Sequence, residues 1–271
     1  MVTTATDTTL TTQQRQTFEA DGHLVVRGLL AADEIQLLKD TFMAIHARGP
    51  VDGYFNPKTE AEAKGDPLKM YPRIMHPHRF DDTARRYLLD PRLEAILTDL
   101  FDEEPLAAQT MLYFKPPGAR GQALHQDNFY LKVEPGTCIA AWIPLDKTDA
   151  ENGCLEVVPG THAMDLFCPE EADTSVSFTR DYVPPPPGLS AVPVEMEPGD
   201  VLFFNGSLVH GSGPNRTADR FRRSFICHYI GRSAERMSTW YRPILTFQGD
   251  EVAIDANTGG GPCGVEEVGP H

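Results

Sequence analysis

The chain is short of positive charge: 24 Lys and Arg stand against 39 Asp and Glu in 271 residues, a formal net charge of −15. A nucleic-acid surface needs a basic footprint, and adhesion to anionic lipid needs clustered cations, so neither nucleic acid nor membrane is expected as a partner. No apolar run approaches bilayer-spanning length. The Thr-rich opening lacks the basic start and apolar stretch of a signal peptide, and residues 1–12 are expected to be a flexible leader. Cysteine is scarce and unpaired in pattern. Cys138, Cys154, Cys168, Cys227 and Cys263 are an odd number with no Cys-x-x-Cys spacing, which predicts buried or free thiols in a reducing cytoplasm. No segment repeats.

What the chain has is length enough for one substantial core, many turn residues and a change of hydrophobic period. Residues 13–20 predict a short helix and 23–28 a strand. Ile35, Leu38, Phe42 and Ile45 recur at helical spacing and predict an amphipathic helix over 32–48. Gly and Pro break up residues 49–80, which read as a long loop carrying Lys69, Arg73, His76, His78 and Arg79. That basic cluster is either a solvated face or a lid whose cations meet an anionic ligand. Helical spacing resumes over 83–101, with a break at Asp90-Pro91. From Ala107 the period becomes two: Gln109, Met111 and Tyr113 face one way, Thr110, Leu112 and Phe114 the other. Short strands punctuated by Gly/Pro turns follow, the pattern of a β-sandwich or jelly roll. Residues 162–192, with four prolines from Pro184 to Pro187, are expected as a second loop over the barrel mouth. The plan is a single domain over 13–250 with helical support at its N-terminal side, then a loosely held Gly-rich tail over 251–271.

One constellation carries chemistry. His125-Gln126-Asp127 is answered 85 residues later by His210. Alternate strand residues share a face, so His125 and Asp127 are expected to grip one ion from a single strand. His210 would then arrive on a second strand folded back over the first. Two imidazoles and a carboxylate are the donor set of a mononuclear iron(II) site that leaves coordination positions open. A lone His-x-Asp is a weak signal, because most histidines are merely packed or solvated.

The surrounding residues strengthen it. His125, Asp127 and His210 resemble the iron ligands of the phytanoyl-CoA dioxygenase-like family of iron(II)/2-oxoglutarate oxygenases. The stretch from Gln109 to Pro117 is similar to the family strand that precedes the iron motif, Asn152–His162 to its "NGCL…PGTH" turn and strand, and His210–Gly213 with Phe221-Arg222-Arg223 to its last core strands. The resemblance implies a mainly β fold with flanking helices, a double-stranded β-helix (jelly roll, cupin-like). It implies Fe(II), with 2-oxoglutarate and O2 as cosubstrates, hydroxylation of a C–H bond of a small molecule, and release of succinate and CO2. The carboxylate of Asp127 favours hydroxylation over halogenation, since related halogenases put a small residue there.

The same resemblance gives the cosubstrate's far carboxylate to Arg222, with Arg220 as the alternative, assisted by Ser212. Met111 and Trp142 would line the pocket, Gln109 would donate to the cosubstrate, and Arg73 falls near a family lysine that reaches it. Without the motif, Met111 and Trp142 read as ordinary core. His162 reads as structural, and His228 lies on the presumed Arg222 face with nothing that requires it as a ligand. Two other classes compete: a non-oxidative cupin-like isomerase or hydrolase on the same triad, and a degenerate ligand-binding domain. A complete triad beside a matching arginine favours the oxygenase. The substrate is expected to be small and anionic.

Overall fold

The structure is a computed structural model that describes residues 9–259 and Cys263. Helices α1 (Thr12–Asp21), α2 (Ala32–Arg48), α3 (Glu60–Ala63), α4 (Pro67–Met70), α5 (Asp82–Leu88) and α6 (Pro91–Phe101) come early, and α7 (Asn128–Leu131) is a single turn between strands. Strands β1 (His23–Val26), β2 (Ile74–Met75), β3 (Pro105–Tyr113), β4 (Gln122–His125), β5 (Cys138–Pro144) and β6 (Leu155–Val157) precede a small hairpin, β7 (Glu170–Glu171) and β8 (Asp181–Tyr182). Then come β9 (Val192–Val194), β10 (Val201–Asn205), β11 (His210–Ser212) and β12 (Ser224–Gly231). Four two-residue strands close the described chain: β13 (Arg236–Met237), β14 (Ile244–Leu245), β15 (Glu251–Val252) and β16 (Asp255–Ala256).

Two sheets form the expected jelly roll. The larger runs β1-β10-β5-β12-β3-β14-β15, with β2 also on β3, and the smaller runs β4-β11-β6-β9. The two-residue period of β3 decides which side chains enter the barrel. Met111 and Tyr113 join Trp142, Leu155, Val157, Leu202, Phe204 and Ile226 between the sheets. Leu112 and Phe114 face outward onto the helices, where Ile35, Leu38, Phe42 and Ile45 of α2 are buried at the predicted spacing. Each such large apolar side chain contributes about 1.5–3 kcal/mol on burial. The break at Asp90 is a cap: its side chain accepts from the backbone of Arg92 and Pro91 starts α6. Arg92 then bridges Asp90 and Glu34, tying α6 to α2.

Three expectations change. Leu10 is buried and its backbone N–H donates to Asp99, and Thr11 caps α1, so the chain is held two residues before the expected end of the leader. Residues 1–8 lie outside the described residues. The tail is also anchored further than its Gly content suggested: β16 pairs with β13, Ile254 is buried, and Asn257 donates to the carbonyl of Lys132. Beyond Gly259, only Cys263 is among the described residues. Finally, Cys168 and Cys263 form a disulfide with Cα atoms 5.5 Å apart. They are 95 residues apart in sequence, so spacing alone gave no hint of it. Cys138, Cys154 and Cys227 are free and buried as expected. The bridge removes the cysteine argument for a reducing compartment. Among the described residues no helix is long and apolar enough to cross a membrane.

Candidate active site

His125 ends β4 and His210 begins β11, and the two residues are directly opposed in an antiparallel pair. Their rings lie 4.3 Å apart between centroids. Gly211 permits this approach, because a Cβ there would sit 2.7 Å from the carbonyl oxygen of Gln122. Asp127 corrects the expectation of a shared strand. β4 stops at His125, and Asp127 has helical backbone angles (φ −61°, ψ −37°) and leads into α7. The chain turns because Gln126 is anchored, its side chain donating to Ser207 O at 2.7 Å and accepting from Phe167 N at 2.8 Å. Even so, the carboxylate meets both imidazoles: Oδ1 is 3.5 Å from Nε2 of His125 and 3.6 Å from Nε2 of His210. One ligand atom from each of the three residues lies within 4.8 Å of the others, and all three residues are buried.

The electrostatics suit a cation. Nδ1 of His125 is 2.7 Å from Ala123 O and Nδ1 of His210 is 3.0 Å from Leu208 O. A carbonyl only accepts, so each Nδ1 carries the hydrogen and each Nε2 turns a lone pair toward Asp127. Burial pushes His210 down to about 4, which keeps it a neutral ligand at ordinary pH. For Asp127, burial opposes ionisation, but the polar contacts of the site, the hydrogen bond from His228 among them, outweigh it and hold the carboxyl well below its usual range. His228, which nothing in the sequence required as a ligand, places its Nε2 3.0 Å from Oδ2 of Asp127. It occupies one carboxylate oxygen and leaves the other to face the imidazoles. Two neutral ring nitrogens and one carboxylate oxygen, converging in a buried site, fit a divalent ion.

Further along β11 a second set of groups converges. Arg222 is 2% exposed and points inward: Nε donates to Gly153 O (3.0 Å), Nη1 to Ser224 Oγ (2.9 Å) and Nη2 to Ser212 Oγ (3.3 Å). Its guanidinium lies 5.4 Å from the ring of Trp142. Arg220, the alternative, pairs at the surface with Asp149 and Glu151. Ile226 is flanked in register by Met111 and Trp142, so both share the inner face with the arginine. Gly153 has a φ of 77° and a Cβ there would strike the carbonyl of Gly213, which explains the Asn-Gly turn.

Sequence reasoning missed Lys115. It is 2% exposed, and its Nζ lies 2.8 Å from Ser212 Oγ, 2.5 Å from Gly213 O and 3.4 Å from Gly153 O. Its backbone has a φ of 35°, a strained value for a side chain of this size. Neither Lys115 nor Arg222 has a carboxylate within ion-pair distance among the described residues, although Arg223 beside them pairs with Asp146. The only signal in the sequence was a lysine wedged between an apolar strand and two prolines.

Gln109 is fully buried opposite His228 on β12, and neither of its amide atoms has a partner among the described residues. Nδ1 of His76, Nδ1 of His228 and Nε of Arg79 are likewise unpaired. The expected basic cluster over 69–79 separates. His76 and His78 are buried and pushed down to about 3, chiefly by burial, so they are neutral. Arg79 donates to the carbonyl of Arg242. Arg73 is half-buried over the rings of Tyr113 and Phe178 and donates to the Tyr113 hydroxyl at 3.2 Å. It lines a 260 Å³ cavity with Lys69, Arg120, Tyr113, Phe178 and Lys115, one tyrosine removed from Met111 on β3.

Fold and centre together define a jelly-roll metalloprotein of the two-histidine, one-carboxylate class. The family model described as phytanoyl-CoA dioxygenase (PhyH) matches residues 18–224. The peroxisomal phytanoyl-CoA dioxygenase of Mus musculus is 32% identical over 237 residues, covering 81% of this chain and 68% of that protein. The probable phytanoyl-CoA dioxygenase of Caenorhabditis elegans is 31% identical, covering 81% and 75%. Among solved structures, the epimerase SnoN in complex with Fe3+, α-ketoglutarate and nogalamycin RO shares the fold, with a TM-score of 0.64, 24% identity, and 85% of each chain covered. The chain belongs to the phytanoyl-CoA dioxygenase family. It is an oxygenase.

Proposed function

We propose that the protein is an iron(II)- and 2-oxoglutarate-dependent dioxygenase that hydroxylates a C–H bond of a small, anionic organic molecule and releases succinate and CO2. The observation that carries this reading is the buried guanidinium of Arg222, which has no acid of its own among the described residues and sits with the Lys115 amine beside a complete metal triad. Burying an unpaired charge costs several kcal/mol, so the site is built for an anion that arrives from outside. A planar guanidinium fits a carboxylate with two parallel hydrogen bonds.

His125, Asp127 and His210 would hold the metal, which when bound supplies activation of O2. Arg222 and Ser212 seat the far carboxylate of the diacid, while Met111 and Trp142 exclude water around its carbon chain. His228 fixes the rotation of the Asp127 carboxylate. Gln109, His76 and Arg79 offer unpaired polar atoms, suited to hydrogen-bonding groups of cosubstrate or substrate. Lys69 and Arg73, in a cavity walled by Tyr113 and Phe178, support the anionic character of the substrate. A hydrolase or non-oxidative isomerase on the same triad has no use for a buried guanidinium set to receive a diacid.

The test is succinate formation from 2-oxoglutarate by the Fe(II)-loaded protein under O2, with and without candidate organic anions. Slow uncoupled turnover is expected without substrate and acceleration with it. A protein that binds the metal tightly and never consumes 2-oxoglutarate in either arm ends this reading.

A further inference from the structure

We propose that Lys115 is a second, switchable cation of the diacid seat: when the far carboxylate arrives, Lys115 takes a proton from solvent and the Ser212 hydroxyl turns its hydrogen to the ligand. The inference rests on the dioxygenase reading and deepens it.

The geometry of one hydroxyl carries the argument. Ser212 Oγ lies 2.8 Å from Lys115 Nζ and 3.3 Å from Arg222 Nη2. The guanidinium can only donate. A neutral Lys115 amine donates its two hydrogens to the carbonyls of Gly213 and Gly153 and accepts the Ser212 hydrogen on its lone pair, so every short contact is satisfied with no charge on the lysine. As an ammonium it has three hydrogens and no lone pair. It then donates to both carbonyls and to Ser212 Oγ, and the serine hydrogen must leave for another acceptor. The carboxylate seated against Arg222 is that acceptor. One proton moves from solvent to Nζ, no covalent bond other than N–H and O–H changes partner, and the ligand's charge is met by two cations.

The surroundings set the empty state. Arg222 faces Lys115 from the segment before β12, Cys154 from the segment before β6, and Glu156 from β6 itself, while Asp66, Lys69, Arg73, Tyr113 and Arg120 line the same cavity as Lys115. Burial, then the Arg222 guanidinium, holds the lysine well below its ordinary range, while the Glu156 carboxylate pulls the other way. The Cys154 thiol is itself pushed up to about 11 by burial and stays neutral. Glu156 forms no ion pair with Lys115 and stands half-exposed on β6. A second full cation beside Arg222 is therefore unfavourable until an anion sits between them.

The experiment is calorimetric titration of anaerobic Fe(II)-loaded protein near pH 7.5 in buffers of differing ionisation enthalpy, which counts protons taken up on binding. Two probes are used: 2-oxoglutarate, and the keto monoacid 2-oxobutyrate, which lacks the far carboxylate. About one proton more is expected for the diacid than for the monoacid. Any proton released by water displaced from the metal is common to both and cancels. In Lys115→Met the difference vanishes and the diacid binds roughly tenfold more weakly, while the monoacid is unaffected. Equal proton counts for the two acids in the unmodified protein overturn the proposal without recourse to any variant. An unmodified protein that binds neither acid sinks the dioxygenase reading itself, a result distinguishable from the first.

Discussion

Replacing Arg222 by methionine separates what this residue does for folding from what it does for binding. A guanidinium has five N–H hydrogens, and three are held by Gly153 O, Ser224 Oγ and Ser212 Oγ. Two remain for a carboxylate. A hydrogen bond to a charged group contributes about 1.5–3 kcal/mol, so losing both costs about 3–6 kcal/mol of diacid binding, roughly two to four orders of magnitude in Kd. The effect on the ligand-free fold is far smaller, because two contributions oppose each other. The variant forfeits hydrogen bonds to three neutral acceptors, and it also removes a buried cation with no counter-charge among the described residues. Unfolding free energy is expected to shift by no more than about 2 kcal/mol. The assay pairs calorimetric 2-oxoglutarate titration of the Fe(II)-loaded protein with urea unfolding of the metal-free protein. A well-folded variant whose Kd stays within tenfold of the parent would refute the assignment of Arg222 as the carboxylate seat.

Two further outcomes follow from the structure. His228→Phe keeps the ring volume and removes the hydrogen bond to Asp127 Oδ2; Fe(II) affinity is expected to fall about 10–100-fold by anaerobic chelator competition, and an unchanged affinity would show that the carboxylate needs no such brace. Glu34 is held down to about 2, chiefly by its hydrogen bond to Arg92, so its contribution to stability is fully present above its ordinary value of 4.5 and is lost as pH falls through about 2. Glu34→Gln should therefore show a shallower acid limb between those values in urea unfolding, and parallel limbs would mean that the Arg92 bridge carries no net stability.

Much of the fold was legible because hydrophobic period is a local property. The α2 helix lies over Ala32–Arg48 as its spacing required, the Asp90-Pro91 break divides α5 from α6, and the alternation of β3 places Met111 and Tyr113 inside and Leu112 and Phe114 outside. The three metal-binding candidates were legible too, because His-x-Asp followed by a distant His is a pattern of residue types. The strand argument for Asp127 failed at one bond. Gln126 is held by contacts from residues 167 and 207, far away in sequence, and those contacts turn the chain into α7.

The sequence by itself determined the two hydrophobic periods, the jelly-roll class, the triad and the family, since each is written in residue types and local spacing. Only the tertiary structure decided which arginine turns inward, since Arg220 and Arg222 lie two residues apart and differ in whether Asp149 and Glu151 are within reach. It alone brought Lys115 to Ser212 across 97 residues, His228 to Asp127 across 101, and Cys168 to Cys263 across 95. Charge, burial and partnership are properties of pairs. A pair separated by a hundred residues exists only once the sheets have closed around it.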